Sequence, residues 1–184
     1  MSKKPINSFQ GVKTFSKVFH ESTMGYFAET YKDAWLEETF LQDSVSLSKK
    51  AGTIRGLHFQ KDNSAQGKLI TVLEGSIQDY FVDLRFNSPS FKDYGSIKIS
   101  KLNNLALFIP RGFAHGFITL EPDTIVSYKL DNYYSPKNEV TISWDDPDLA
   151  INWPKNFTYS FSPKDLEGTK LKDFLKKKNQ LQNE

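Results

Sequence analysis

Short runs that alternate apolar and polar residues recur along most of the chain. Thr53-Ile54-Arg55-Gly56-Leu57-His58-Phe59-Gln60 alternates, and Lys68-Leu69-Ile70-Thr71-Val72-Leu73 follows, closed by Gly75. Ile77 to Leu84 alternates again, and residues 96–100, 105–110, 116–120 and 124–130 repeat the pattern. Between them stand turn signals: Asn87-Ser88-Pro89, Asn103-Asn104 and Glu121-Pro122-Asp123. A period of two places successive side chains on opposite faces, so each run reads as a half-buried strand. Many short strands at close, regular spacing predict an all-β sandwich or barrel, with a jelly roll among the candidates. Helical patterns are few. Ala34-Trp35-Leu36-Glu37-Glu38 reads as one short helix. Leu166, Leu171, Phe174 and Leu175 predict a surface helix near the C-terminus, fraying into Gln180-Leu181-Gln182-Asn183-Glu184. No repeat or linker divides residues 1–184, which read as one domain with a polar, lysine-rich tail.

Composition narrows the function classes. Lys and Arg number 24 against 22 Asp and Glu, a balance that leaves no electrostatic footprint for nucleic acid or an anionic membrane. The chain has no cysteine, which excludes disulfides and thiolate metal sites. No run approaches the ~20 apolar residues of a membrane span, and Met1-Ser2-Lys3-Lys4-Pro5 leads into no apolar stretch. A cytoplasmic location is expected. Aromatic residues make up 14% of the chain, which favours strands and ring-lined pockets.

Three histidines are available: His20, His58 and His115. None forms the tight H-x-H or H-x-x-x-H pair that lets neighbouring positions converge on one metal ion, so no metal is expected. The alternation places His58 on one strand face with Ile54, Gly56 and Gln60, and Arg55, Leu57 and Phe59 on the other. His115 follows Pro110-Arg111-Gly112 and leads into a strand at Gly116. For each histidine the ordinary reading is a structural hydrogen bonder. Lys68 at a strand start reads as a solvated end, and Asp79 in Ile77-Gln78-Asp79-Tyr80 as an outward position. Tyr128, with Tyr133 and Tyr134 beyond it, reads as sheet packing. Asp165 in Ser162-Pro163-Lys164-Asp165 reads as a helix cap or first-turn acid.

Taken together, these segments have a pattern. Phe40-Leu41-Gln42-Asp43, Arg55-Gly56-Leu57-His58-Phe59-Gln60, Gln66-Gly67-Lys68-Leu69 and Val82-Asp83-Leu84-Arg85 come first. Ile109-Pro110-Arg111-Gly112-Phe113-Ala114-His115-Gly116-Phe117, Tyr128-Lys129 with Tyr133-Tyr134-Ser135-Pro136, Ile142-Ser143-Trp144-Asp145-Asp146-Pro147 and Ile151-Asn152-Trp153-Pro154 follow. In this order they resemble the dTDP-4-dehydrorhamnose 3,5-epimerase family from about residue 9 to about residue 170. The resemblance implies a cupin-type jelly roll, a nucleotide-sugar substrate, a homodimer and no cofactor. It implies His58 as catalytic base, Asp165 as its orienting carboxylate, Tyr128 as acid on the other sugar face, and Lys68 and Asp79 as the polar pair near the reacting carbons. It implies substrate contacts from Gln42, Arg55, Gln60, His115, Glu139, Lys164 and Phe27, with Glu29 acting across a dimer interface.

The chemistry is consistent with those roles. A proton next to a ketone yields to a moderate base when the enolate is stabilised, and histidine, at about pKa 6.5, suits neutral pH. A paired carboxylate sets its tautomer, a lysine stabilises the enolate oxygen, and a phenol returns the proton from the far face. Two departures fall at nucleotide-side positions. The family usually carries Arg-Gly where Met24-Gly25 stand, and Asn-His where Ser44-Val45 stand. The nucleotide and sugar are therefore left open, as is the choice of C3, C5 or both. Three other readings remain: an epimerase of one carbon, a metal-dependent cupin oxygenase, and a sugar-binding jelly roll without catalysis.

Overall fold

The computed structural model of the protein describes residues 3–182, with side chains as far as residue 176. Its strands are β1 (Lys13–Ser16), β2 (Phe19–Ser22), β3 (Gly25–Ala28), β4 (Gln42–Ser48), β5 (Ile54–Gln60) and β6 (Lys68–Glu74). They continue as β7 (Ser76–Asp83), β8 (Tyr94–Ser100), β9 (Leu105–Ile109), β10 (Phe113–Thr119), β11 (Thr124–Leu130) and β12 (Glu139–Thr141). Two short helices follow, α1 (Pro163–Leu166) and α2 (Leu171–Gln182). Two five-stranded antiparallel sheets face each other, one in the order β1-β9-β6-β11-β4 and one in the order β12-β5-β10-β7-β8. A separate hairpin pairs β2 with β3. This is the jelly-roll sandwich expected from the strand pattern.

Three apolar layers hold it together. Between the sheets lie Phe9, Ile70, Val72, Ile77, Phe81, Leu107, Phe113, Phe117 and Val126. Over the outer face of the β5–β10–β7 sheet the C-terminal third folds back, packing Ile151, Trp153 and Leu171 on Ile54, Leu57, Tyr80 and Val82. A smaller group, Leu36, Leu69, Ala106 and Phe108, covers part of the other sheet's outer face. The β5–β10–β7 sheet is thus buried on both faces, which explains why nearly every residue of β7 and β10 is buried, polar ones included. Among the described residues no helix is long and apolar enough to cross a membrane.

Several expectations need correction. Asp79 does not point outward: it shares the inner face of β7 with Ile77 and Phe81 and is fully buried. His115 lies within β10, which begins at Phe113; Gly112, at φ 88°, takes the turn. The segment expected as a helix at 34–38 is a 3-10 turn over Asp33–Trp35, too short to bury an amphipathic stripe. Leu166 is exposed on α1, whereas Leu171, Phe174 and Leu175 on α2 pack against the outer layer. The side chains of the tail expected to fray, from Gln180 on, lie outside the described set.

The face of β5 also differs. Opposite β10, His58 pairs with His115 and Arg55 with Phe117, so one extra residue of β5 is accommodated against Gly116. This is a β-bulge, and it inverts the alternation from Gly56 on. Ile54 and Leu57 therefore share the outer layer, while Arg55 and His58 both turn into the sandwich. Glycine is required here. Gly56 has φ 120°, and a Cβ on it would sit 2.5 Å from the Gly116 Cα.

Candidate active site

One end of the sandwich opens into a cleft of about 420 Å³. The bulged strand β5 supplies Arg55, His58 and Gln60, β10 supplies His115, and β12 supplies Glu139. From the facing sheet come Gln42 on β4, Lys68 on β6 and Tyr128 on β11, and Lys164 on α1 closes the rim. Nine residues expected at the site are thus brought to one cavity. Asp79 and Asp165 stand behind it, each against a histidine.

Asp165 is the hub. The Ser162 hydroxyl caps α1 by accepting from the Asp165 N–H, and the Asp165 carboxylate answers by accepting from the Ser162 N–H, a capping box. The same carboxylate accepts from the Gly56 N–H at 3.0 Å and the Ser162 hydroxyl at 2.6 Å. His58 Nε2 lies 2.8 Å from Asp165 Oδ1, a short but bent contact in which the ring N–H does not point straight at the oxygen. Burial would raise the Asp165 carboxyl, but the His58 contact, the Ser162 hydroxyl and the Gly56 N–H together bring it down to about 2. Burial lowers the His58 imidazole, Asp165 partly opposes this, and the nearby Lys164 and Lys68 push the same way as burial. His58 is therefore neutral at neutral pH.

The remaining groups divide by environment. Burial strongly raises the Tyr128 phenol, so it keeps its proton. The Lys68 amine donates to the His58 carbonyl at 3.2 Å, and burial brings it down to about 8 against the opposing pull of Glu139 and Asp79. Asp79, raised by burial, lies 2.8 Å from His115 Nε2. At the rim Tyr134 donates to Glu139 at 2.8 Å and Lys164 pairs with the other oxygen of the same carboxylate. Among the described residues no group of three or more His, Asp or Glu side chains is arranged to hold a metal ion.

Phe27 and Glu29 do not line this cleft. Phe27 lies on β3, 65% exposed, and Glu29 follows it, 2.5 Å from Lys32. Met24 is at the tip of the same hairpin, 96% exposed. The residue-level reading missed Ser46 and Phe117, which also line the cleft. The alternation Gln42, Ser44, Ser46, Ser48 was the available signal for Ser46.

Fold and cleft define the class: a jelly-roll enzyme whose two sheets contribute opposing ionisable groups to one cavity. The chain belongs to the dTDP-4-dehydrorhamnose 3,5-epimerase family, whose profile it matches over residues 7–173, and it is an isomerase. A dTDP-4-dehydrorhamnose 3,5-epimerase of Sinorhizobium fredii is 44% identical over 146 residues, covering 77% of this chain and 75% of its own. The crystal structure of a dTDP-4-dehydrorhamnose 3,5-epimerase from Bacillus anthracis with TDP and PPi bound superposes with a TM-score of 0.83 at 44% identity, covering 88% of this chain and 94% of its own. A dTDP-6-deoxy-D-glucose-3,5-epimerase from Legionella pneumophila, in complex with dTDP-4-keto-L-rhamnose, gives 0.80 at 35% identity, covering 89% and 87%.

Proposed function

We propose that the protein is a cofactor-independent epimerase that inverts C3, C5 or both in a dTDP-linked 4-keto-6-deoxy sugar. His58 is its base and Tyr128 its acid. The observation that carries this reading is the opposed environments of the two groups. His58, on one sheet, is held neutral, and Tyr128, on the facing sheet, is held protonated. Two groups whose proton affinities are driven apart across one cavity divide naturally into base and acid. The bound TDP and dTDP-4-keto-L-rhamnose of the two solved relatives support the substrate class.

With Nε2 against Asp165, Nδ1 is the nitrogen of His58 left to take the proton α to the ketone. The electrons move into an enolate, whose oxygen meets the Lys68 ammonium. Tyr128 then delivers its proton to the carbon from the other face, and the centre inverts. Glu139, Lys164, Arg55 and Gln42 form the rim that meets the nucleotide end. No step calls for a metal or a redox cofactor.

A homodimer completes the reading. The outer face of edge strand β4 presents Val45 and Leu47, and the β2–β3 hairpin presents Tyr26 and Phe27, all exposed. Apolar surface of this kind fits a two-fold contact between copies, which would carry Phe27 and Glu29 to the partner's cleft.

The test is incubation with dTDP-4-keto-6-deoxyglucose in deuterated water, counting deuterium at C3 and C5. Two labelled and inverted centres are expected; a single one would assign a one-carbon epimerase. His58→Ala should remove both label and inversion. Tyr128→Phe should suppress inversion more than labelling, because His58 can still return a deuteron to the face it came from. A Tyr128→Phe enzyme inverting at the normal rate would sink the assignment of the acid.

A further inference from the structure

The inner face of β4 carries no apolar side chain. It carries Gln42, Ser44, Ser46 and Ser48, while the apolar Val45 and Leu47 face outward. In the antiparallel pair with β11, Tyr128 stands opposite Ser44 and Val126 opposite Ser46. The Tyr128 phenol leans along the strand, and its oxygen lies 2.9 Å from Ser46 Oγ. Ser46 is its one hydrogen-bond partner among the described residues. The ring otherwise packs against the apolar layer between the sheets.

The strand that carries Ser46 is itself tied down. β4 lies at the edge of its sheet, bonded on one side only. From the opposite sheet Arg55 donates through Nε to Ser48 Oγ and through Nη2 to the Leu47 carbonyl, each at 3.0 Å. The bulge that turns Arg55 into the cleft therefore also fixes the strand holding the serine. A phenol has one rotatable O–H and a ring that pivots about Cβ. A single well-held hydroxyl is enough to set where its oxygen sits.

We propose that Ser46 is a positioning residue for proton delivery: its hydroxyl holds the Tyr128 oxygen towards the sugar face opposite His58 and hydrogen-bonds the phenolate left behind. The inference rests on the base–acid reading above. In the delivery step the Tyr128 O–H bond breaks and a C–H bond forms. The enolate's charge passes to the phenolate oxygen, and Ser46 donates a hydrogen bond to it without losing its own proton. Burial opposes that phenolate, and the Ser46 hydroxyl and the Arg55 charge both favour it. A hydrogen bond to a charged oxygen in a dry site is stronger than one between neutral groups, so Ser46 contributes more after delivery than before it. That difference lowers the barrier, which uniform binding would not.

The experiment compares wild type, Ser46→Ala and Ser46→Thr with dTDP-4-keto-6-deoxyglucose in deuterated water, measuring label and inversion separately. Ser46→Ala should keep deuterium exchange within about threefold, since His58 is untouched, and keep KM similarly close. Its inversion rate should fall by about 10- to 100-fold. Retained exchange also shows that the variant folds. Ser46→Thr keeps the hydroxyl and should recover most of the inversion. A Ser46→Ala enzyme with the wild-type ratio of inversion to exchange would overturn the proposal, as would Ser46→Thr being as impaired as Ser46→Ala. If wild type itself incorporates no deuterium, the base–acid reading falls, a result distinct from either of these.

Discussion

Replacing Asp165 by Asn tests the site and the fold at once. The carboxylate accepts from the Gly56 N–H, the Ser162 N–H and the Ser162 hydroxyl, and it faces His58 Nε2. An amide offers one acceptor oxygen and one donor NH₂, so at least one of these donors meets another donor. The folded carboxyl sits at about 2 against an ordinary 3.8, and at ~1.4 kcal/mol per tenfold that is a contribution of about 2 kcal/mol. Its sign follows from the depressed value. The stabilisation is complete above the unfolded value near 4 and is lost as pH falls through about 2. For a chain of this size about 2 kcal/mol corresponds to a Tm loss of roughly 4–8 °C. Asp165→Asn should show that loss at pH 7, and the gap from wild type should narrow below pH 4. In the exchange assay the rate should fall by about 10²- to 10⁴-fold, because the imidazole loses its orienting partner. Removing a carboxylate that raises the His58 value also moves the acid limb of residual exchange to lower pH. A variant with wild-type Tm at pH 7 and exchange within threefold would refute the role of Asp165 as a hub.

Further outcomes are expected. Lys68→Gln should lower kcat by about 10²- to 10³-fold, the cost of losing one donor to a developing oxyanion. In the wild type, activity should fall as pH rises through about 8, where the Lys68 ammonium loses its proton; a Lys68→Arg enzyme that kept the same basic limb would assign it elsewhere. Dialysis against a strong chelator should leave activity unchanged, and loss restored by a divalent ion would refute the metal-free mechanism. Val45→Lys combined with Leu47→Lys should turn a dimer into a monomer in sedimentation with reduced turnover. A fully active wild-type monomer would show that the hairpin serves no second cleft.

The strands that were easy to read in the sequence were those with apolar residues facing the middle of the molecule. β5, β6, β7 and β11 begin within a residue or so of the expected places because Ile54, Leu69, Ile77 and Val126 mark their buried sides. β4 escaped detection because its polarity is reversed: serines face the cleft and Val45 and Leu47 face out, so a search for an apolar inner face finds nothing. β1 to β3 have mostly exposed residues and little periodicity. The catalytic candidates were recognisable as motifs, yet their geometry was not. Arg55 and His58 share a wall only because Gly56 and Gly116 admit an extra residue, and a strict period of two separates them. Asp79 looked like a surface acid because a lone carboxylate in a strand usually faces water; it shares the inner face of β7 with Ile77 and Phe81 and meets His115 there. The His58–Asp165 contact closes a loop of more than a hundred residues, beyond the reach of any local pattern.

That long closure has a consequence for how the enzyme comes into being. The capping carboxylate proposed to orient His58 belongs to a four-residue helix more than a hundred residues further along the chain. Ribosomal synthesis delivers the imidazole, the phenol and the ammonium first and the carboxylate last. On the proposed mechanism, a competent base is assembled only once Ser162 to Asp165 dock on Gly56. Turnover by this mechanism therefore reports that the Ser162 to Asp165 segment is seated on Gly56.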